Sequence, residues 1–122
     1  MSTVMIVDDD KTMSSLLETL LQLDGYEVVK AGAPLDFIAR VEREKPDVVL
    51  LDVFLQGGVE GYSLVRQLRA HPMEHLANLP VIMTSGMEVS TECRQAGASA
   101  FLLKPYDPEQ LLQIIQANLA GS

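Results

Sequence analysis

One cysteine in 122 residues, Cys93, leaves no partner for an intrachain disulfide and no set of thiolates for a zinc site. Such usage suits a reducing compartment, and the lone thiol reads as a small, partly buried packing residue. Basic residues are also scarce. Nine Lys and Arg stand against 17 Asp and Glu, a formal charge of -8, which argues against direct binding to nucleic acid or an anionic membrane, since both need clustered cations. Long apolar runs are missing too: none approaches the ~20 residues of a membrane span. The start, Met1 to Asp8, lacks the basic region and the apolar length of a signal peptide. The expectation is a soluble, cytoplasmic chain whose partners are proteins. With 48% hydrophobic residues it is long enough for one core and too short for two ordinary domains.

What is present is a set of short apolar runs, four of which end in a polar residue of a particular kind. Val4 to Val7 leads into Asp8 and Asp9, Val48 to Leu51 into Asp52, Val81 to Met83 into Thr84 and Ser85, and Phe101 to Leu103 into Lys104. Continuous apolar runs of this length fit strands covered on both faces. Between them the period changes. Met13, Leu16, Leu17, Leu20, Leu21 and Leu23 fall at helical spacing, with Gly25 after Asp24 as a stop. Tyr26 to Ala31 is a less apolar strand, suited to an edge. Pro34 opens a second helix carrying Leu35, Ile38 and Val41, ended at Lys45-Pro46 because the residue before proline disfavours the helical region. Asp47 to Leu51 reads as the central strand, Tyr62 to Ala70 as a third helix, Pro80 to Thr84 as the fourth strand, Val89 to Gln95 as a short, weak fourth helix, and Ala100 to Leu103 as the fifth strand. Asp107-Pro108-Glu109-Gln110 is a helix start with an N-cap aspartate, proline at the first helical position and a glutamine three residues after the cap, and Leu111, Leu112, Ile114, Ile115 and Leu119 continue it. His71 and His75 lie in a polar connection and read as solvated loop residues.

Strand and helix alternate throughout, which predicts a parallel sheet with right-handed crossovers. The expected fold class is α/β: a doubly wound five-stranded parallel sheet in order 2-1-3-4-5, a flavodoxin-like three-layer sandwich with its switch point between strands 1 and 3. Asp8, Asp9 and Asp52 end those two strands. Converging carboxylates repel one another and raise one another's pKa unless a cation neutralises them. A hard divalent ion such as magnesium takes one or two carboxylates and keeps waters or phosphate oxygens; Asp9 and Asp52 suit direct ligation, with Asp8 acting through water. If a carboxylate also accepts a phosphoryl group, an ammonium and a hydroxyl are needed for the remaining oxygens, roles open to Lys104 and to Ser85 or Thr84. Helix capping, worth about 0.5 to 2 kcal/mol, accounts for one of Asp8, Asp9 and Asp10. Asp10 is given that role.

The stretches Ile6-Val7-Asp8-Asp9, Val49-Leu50-Leu51-Asp52, Leu79 to Gly86 and Ala96 to Tyr106 resemble the receiver domain of two-component response regulators, chemotaxis-regulator-like, across essentially the whole chain. The resemblance implies a single receiver domain over residues 1–122, a signalling module rather than an enzyme, acting only on its own phosphorylation and dephosphorylation. Asp52 is implied as phosphoacceptor from a histidine kinase or histidine phosphotransfer protein, with Mg2+ or Mn2+ required. Asp9 is implied as the direct acidic ligand, Asp8 as its water-linked neighbour, and the Phe54 backbone carbonyl as a further ligand. Ser85 matches the switch hydroxyl, Phe101 the switch aromatic and Lys104 the phosphate-sensing ammonium, with a cis bond expected at Lys104-Pro105. Output would run through a downstream protein partner, a phosphorylation-dependent dimer or an output domain outside this chain.

Three departures from the family pattern stand out. The loop after Asp52 has Gln56 where relatives usually carry proline, followed by Gly57 and Gly58, which widen its conformational range. The segment from Ser85 to Ala96 is about three residues short, so the helix there is expected to be short, displaced or frayed. Phe54 and Met87, two residues beyond Asp52 and Ser85, replace polar residues that in some relatives position a hydrolytic water; slow dephosphorylation is the expectation. Two other functions compete. Asp8-Asp9-Asp10-Lys11-Thr12 fits the Asp-x-Asp-x-Thr pattern of haloacid-dehalogenase-type phosphatases, with Asp8 and Asp10 as the working pair, but it leaves Asp52 unexplained. A phosphorylation-independent scaffold would not need every site residue present.

Overall fold

The computed structural model describes residues 2–31, 36–55 and 58–120. Its strands are β1 (Thr3–Val7), β2 (Glu27–Lys30), β3 (Val48–Asp52), β4 (Val81–Ser85) and β5 (Ala100–Leu103); its helices are α1 (Lys11–Leu23), α2 (Phe37–Glu44), α3 (Gly61–Arg69), α4 (Glu74–Ala77), α5 (Ser90–Ala96) and α6 (Pro108–Ala120). All strand pairs are parallel, in the order β2-β1-β3-β4-β5. The doubly wound architecture expected from the alternation is therefore present. The less apolar strand, β2, lies at an edge, and the fully buried apolar run of β3 lies at the centre.

Strand alternation divides the core in two. Val4, Ile6, Val48, Leu50 and Ile82 face the layer of α1 and α6, where Leu17, Leu21, Leu111 and Ile115 cover them. Met5, Val7, Val49, Leu51, Val81 and Met83 face Phe37, Val41, Leu64, Val65, Leu68 and Cys93 of α2, α3 and α5. Burying each of these side chains contributes about 1.5 to 3 kcal/mol, enough to override the modest helix propensity of segments such as α5.

Local signals hold at several ends. The Asp10 carboxylate accepts from the Met13 N–H at 3.0 Å and caps α1. Gln110 accepts from the Asp107 N–H at 2.9 Å, the return half of the capping box. Lys45, before Pro46, ends α2 in the left-handed region with φ 50°. The Lys104-Pro105 bond is cis.

Other expectations need correction. Pro34 and Leu35, read as opening the second helix, lie outside the described residues, as do Gln56 and Gly57; the helix runs over Phe37–Glu44. An extra single-turn helix, α4, breaks the simple pairing of strand and helix, held by the burial of Leu76. His71 is not solvated: its side chain is 8% exposed, with Nε2 2.7 Å from Glu42 Oε2 and Nδ1 accepting from the Met73 N–H. Cys93 is fully rather than partly buried, and burial pushes its thiol up to about 11. Of the α1 residues at helical spacing, Leu16 is 63% and Leu23 83% exposed, because six apolar positions span a wider arc than one sheet face can cover.

Candidate functional site

The C-terminal ends of β1, β3, β4 and β5 meet at one edge, as parallel pairing in adjacent registers requires: Val7 lies beside Leu51, Asp52 beside Thr84, and Ser85 beside Leu103. Asp8, the residue after β1, and Asp52, the last of β3, reach the same cation. Lys104 Nζ lies 3.2 Å from Asp52 Oδ2 and 3.8 Å from Asp8 Oδ2. The lysine is aimed there by its own backbone, whose N–H donates to the Ser85 carbonyl at 2.8 Å and prolongs the β4–β5 ladder by one bond.

The two carboxylates are withdrawn from water, with side chains 7% exposed for Asp8 and 15% for Asp52. Burial pushes the Asp8 carboxyl above its usual range and the charge of Asp52 adds to that push; the Asp10 N–H, donated to Asp8 Oδ1 at 2.9 Å, and Lys104 pull the other way. Tyr106 lies close enough to feel both acids, and burial together with their charge pushes its phenol up to about 12. Asp9 is half-buried beside Asp8. Among the described residues no group of three or more acidic, imidazole or thiol side chains is already drawn together as a metal cage. With one Asp8 oxygen engaged by Asp10 and Lys104 facing the other, Asp8, Asp9 and Asp52 are neighbours at the edge without converging on one point. The donor set still suits a hard cation: carboxylate and carbonyl oxygens with no sulfur or imidazole among them.

Ser85 and Thr84 are both buried, and the Ser85 hydroxyl accepts from the Met87 N–H at 3.0 Å, so in this state it ties down the loop after β4. Phe101 is half-buried against the core on the α3 and α5 side. Phe54 and Met87 stand 48% and 62% exposed. Asp10 is committed to the helix cap and points away from the phosphatase reading, which needs it as acid and base.

Sequence reasoning missed two features of this edge. An apolar groove of about 510 Å3 between α1 and the loop after β5, lined by Met13, Leu16, Leu20, Pro105, Tyr106 and Pro108 among others, opens beside Lys104. Its signal was the surplus of leucines on α1. The second feature is the base of the loop after Asp52, where Gly61 packs on the Asp52 carbonyl; Glu60-Gly61 closes that loop in the family pattern, but the pattern does not tell that the glycine is needed for a close backbone approach.

Comparison with known proteins bears on the same edge. The model of the response regulator receiver domain family matches residues 4–116. The chain is 36% identical to the protein PilH of Pseudomonas aeruginosa PAO1, over 99% of this chain and 100% of PilH. It is 33% identical to the transcriptional regulatory protein GltR of the same organism, of whose length it spans 48%. Among solved structures, the chemotaxis response regulator CheY4 of Vibrio cholerae superposes with a TM-score of 0.86 at 28% identity, covering 98% of this chain and 99% of that one. The receiver domain of the sensor histidine kinase PA1611 from P. aeruginosa PAO1, with magnesium coordinated in its active site cleft, gives 0.85 at 28% identity, covering 99% and 98%.

Proposed function

This chain belongs to the response regulator receiver domain family, and from that premise we propose that residues 1–122 form one receiver domain, a switch thrown by phosphorylation of Asp52. The observation that carries the proposal is the Lys104 ammonium shared between Asp52 and Asp8 across three strand ends. Lys104 would hold an anion attached to Asp52.

In the proposed reaction an Asp52 carboxylate oxygen attacks the phosphorus of a phosphohistidine on a kinase or phosphotransfer protein. The new P–O bond forms as the P–N bond breaks, and the imidazole leaves with its electron pair to be protonated. Asp8 and Asp9, with Asp52 itself and the Phe54 carbonyl, would hold a magnesium ion, which when bound screens the repulsion between a carboxylate and a phosphoryl dianion. Lys104 shifts from the Asp52 carboxylate to a phosphoryl oxygen with little movement, since a flexible ammonium is a point charge free to follow its partner. Ser85 would exchange its bond from the Met87 N–H for one to the phosphoryl group. That exchange frees the loop after β4, and Phe101 on the neighbouring strand takes the space as the switch aromatic.

The partner reading has its own support. Met13, Leu16, Leu20 and Leu23 follow one another at spacings of three and four on α1, the seam spacing of helix-on-helix packing. That seam and the groove beside Lys104 suit a helical phosphodonor whose histidine is thereby brought to Asp52. No helix among the described residues is long and apolar enough to cross a membrane; with the charge of -8 this favours action in the cytoplasm on protein partners.

Incubation with acetyl phosphate and magnesium, followed by intact-mass measurement, tests the proposal. One phosphoryl adduct is expected, released by hydroxylamine and absent from Asp52→Asn. An adduct that survives Asp52→Asn and is lost in Asp8→Asn would instead favour the phosphatase chemistry.

A further inference from the structure

The base of the loop after β3 is unusually tight. Val53 leaves the sheet with its N–H donated to the Thr84 carbonyl, the chain runs out through Leu55, whose N–H bonds to the Val59 carbonyl at 3.0 Å, and it returns through Glu60, which bridges antiparallel to Phe54. Gly61 then opens α3 and donates its N–H to the Val53 carbonyl. At that point the backbones nearly touch. A Cβ on Gly61 would sit 2.5 Å from the Asp52 carbonyl oxygen, 2.9 Å from Met83 Cε and 3.3 Å from Val53 Cα. Non-bonded heavy atoms prefer about 3.5 to 4.0 Å, and the first of these partners is backbone that cannot swing aside. Gly61 shows no positive φ, so the requirement is for space alone.

We propose that Gly61 is a positioning residue for Asp52: with no side chain there, α3 starts directly against the Asp52–Val53 peptide and fixes the direction of the Asp52 carboxylate and the Phe54 carbonyl relative to Lys104 and Asp8. The inference deepens the switch reading above and rests on it for its consequences. Any side chain at 61 rotates the Asp52–Val53 peptide or lifts the start of α3. Either movement reaches Asp52 directly, through its own carbonyl, and reaches Phe54 through its bridge to Glu60, the residue before Gly61. The site tolerates little of this, because constellations held to within about 0.5 Å lose function when their support is loosened.

A second glycine supplies the control. A Cβ on Gly97 would meet Arg69 Cγ at 2.8 Å, and its φ of +114° disfavours any side chain, yet it precedes β5, at the end of the sheet where the strands begin and away from Asp52. Gly61→Ala and Gly97→Ala should both lower the urea midpoint. Only Gly61→Ala should raise the dissociation constant for magnesium, by tenfold or more, followed by the amide resonances of Asp8, Asp52 and Lys104, and slow modification by acetyl phosphate by a similar factor. Gly97→Ala should leave both within twofold of the parent. Where Gly61→Ala fails to fold, Gly61→Ala with Met83→Ala removes the side-chain half of the clash and retains the carbonyl half; the same loss of magnesium affinity is expected, relative to Met83→Ala alone. Parent-like magnesium affinity in the alanine variants at 61, or an equal loss in Gly97→Ala, overturns the proposal. Failure of the parent protein to be modified would count against the switch reading, while the resonance shifts between parent and Gly61→Ala would still judge the positioning role.

Discussion

Lys104 and Arg69 are both half-buried cations at the same sheet, one at each edge, and they are satisfied in opposite ways. Arg69 spends its guanidinium on the chain itself: Nε donates to the Gly97 carbonyl at 2.8 Å, Nη1 to those of Ala77 at 3.0 Å and Leu79 at 2.7 Å, and Nη2 to the Ser99 hydroxyl at 3.4 Å. Ser99 in turn accepts from the Val81 N–H at 3.1 Å. The starts of β4 and β5 and the end of α4 are thus tied to the end of α3 by one planar fork, whose donors leave no demand for an outside anion. Lys104 meets charged groups instead, at 3.2 and 3.8 Å, both beyond the 2.7 to 2.9 Å typical of a strong charge-assisted bond. One edge is closed on itself. The other leaves its cation at longer range from two buried acids, the arrangement that the proposed switch would use.

Removing each cation should break this symmetry in a double dissociation, and the largest effect belongs to Arg69. Arg69→Ala strands carbonyls that no neighbour replaces and should destabilise the fold by about 2 to 4 kcal/mol, read as a lowered urea midpoint. Arg69→Lys should recover little of the loss, since a point charge cannot span carbonyls from two segments. Lys104→Ala should cost less than Arg69→Ala, since it strands no backbone carbonyl and the two acids it leaves behind, 7% and 15% exposed, can relax by taking up a proton. Responses to phosphorylation should divide the other way. Amide shifts induced at Ser85 and Phe101 by acetyl phosphate should vanish in Lys104→Ala and persist in Arg69→Lys wherever that variant is folded.

The same contrast explains which parts of the molecule could be read from sequence. Central parallel strands are buried on both faces, so Val48 to Leu51 is a continuous apolar run and its end residue, Asp52, is exposed to view as a break in that run. Caps are local, and Asp10 and Gln110 act within three residues. The Arg69 edge depends on contacts 8 to 30 residues apart that leave no periodic trace. His71 meets Glu42 29 residues away, and α4 is a single turn fixed by Leu76, too short for any periodicity to register. Hydrophobic spacing on α1 identified the helix but not which leucines face the sheet, because a second stripe serves the groove. The requirement at Gly61 arises from backbone approach across the loop, which a sequence alone does not display.

A smaller change should sharpen the view of the Lys104 edge as one that keeps its ligand. Phe54 and Met87, two residues beyond Asp52 and Ser85, present apolar side chains to solvent, and neither could hydrogen-bond a water attacking a phosphoryl group on Asp52. Phe54→Asn combined with Met87→Glu should hasten loss of the phosphoryl group by about tenfold, equivalent to about 1.4 kcal/mol in the barrier, measured as the decay of the adduct by intact mass after acetyl phosphate is removed. An unchanged decay would mean that the rim does not govern water at this edge.

The smallest effect tests whether the open edge is strained in the absence of its ligand. Burial raises the Asp8 carboxyl above the ordinary carboxylate range, so the folded state disfavours the anion more than the unfolded chain does. The contribution of Asp8 to stability is therefore full below about pH 3.8 and is lost as pH rises through its elevated folded value, leaving a constant penalty at neutral pH. Asparagine carries no such penalty. Without divalent ions, Asp8→Asn should match the parent near pH 3 and exceed it at pH 7 by less than about 1 kcal/mol, Lys104 and residual solvent having offset part of the cost. Magnesium should invert the order: at ten times its dissociation constant it stabilises the parent by about 1.4 kcal/mol through mass action, and Asp8→Asn much less. Urea midpoints at the two pH values, with and without the ion, separate the terms. An Asp8→Asn variant no more stable than the parent at pH 7 would show that Lys104 settles its carboxylates as completely as the carbonyls settle Arg69, and the two edges would differ only in their chemistry.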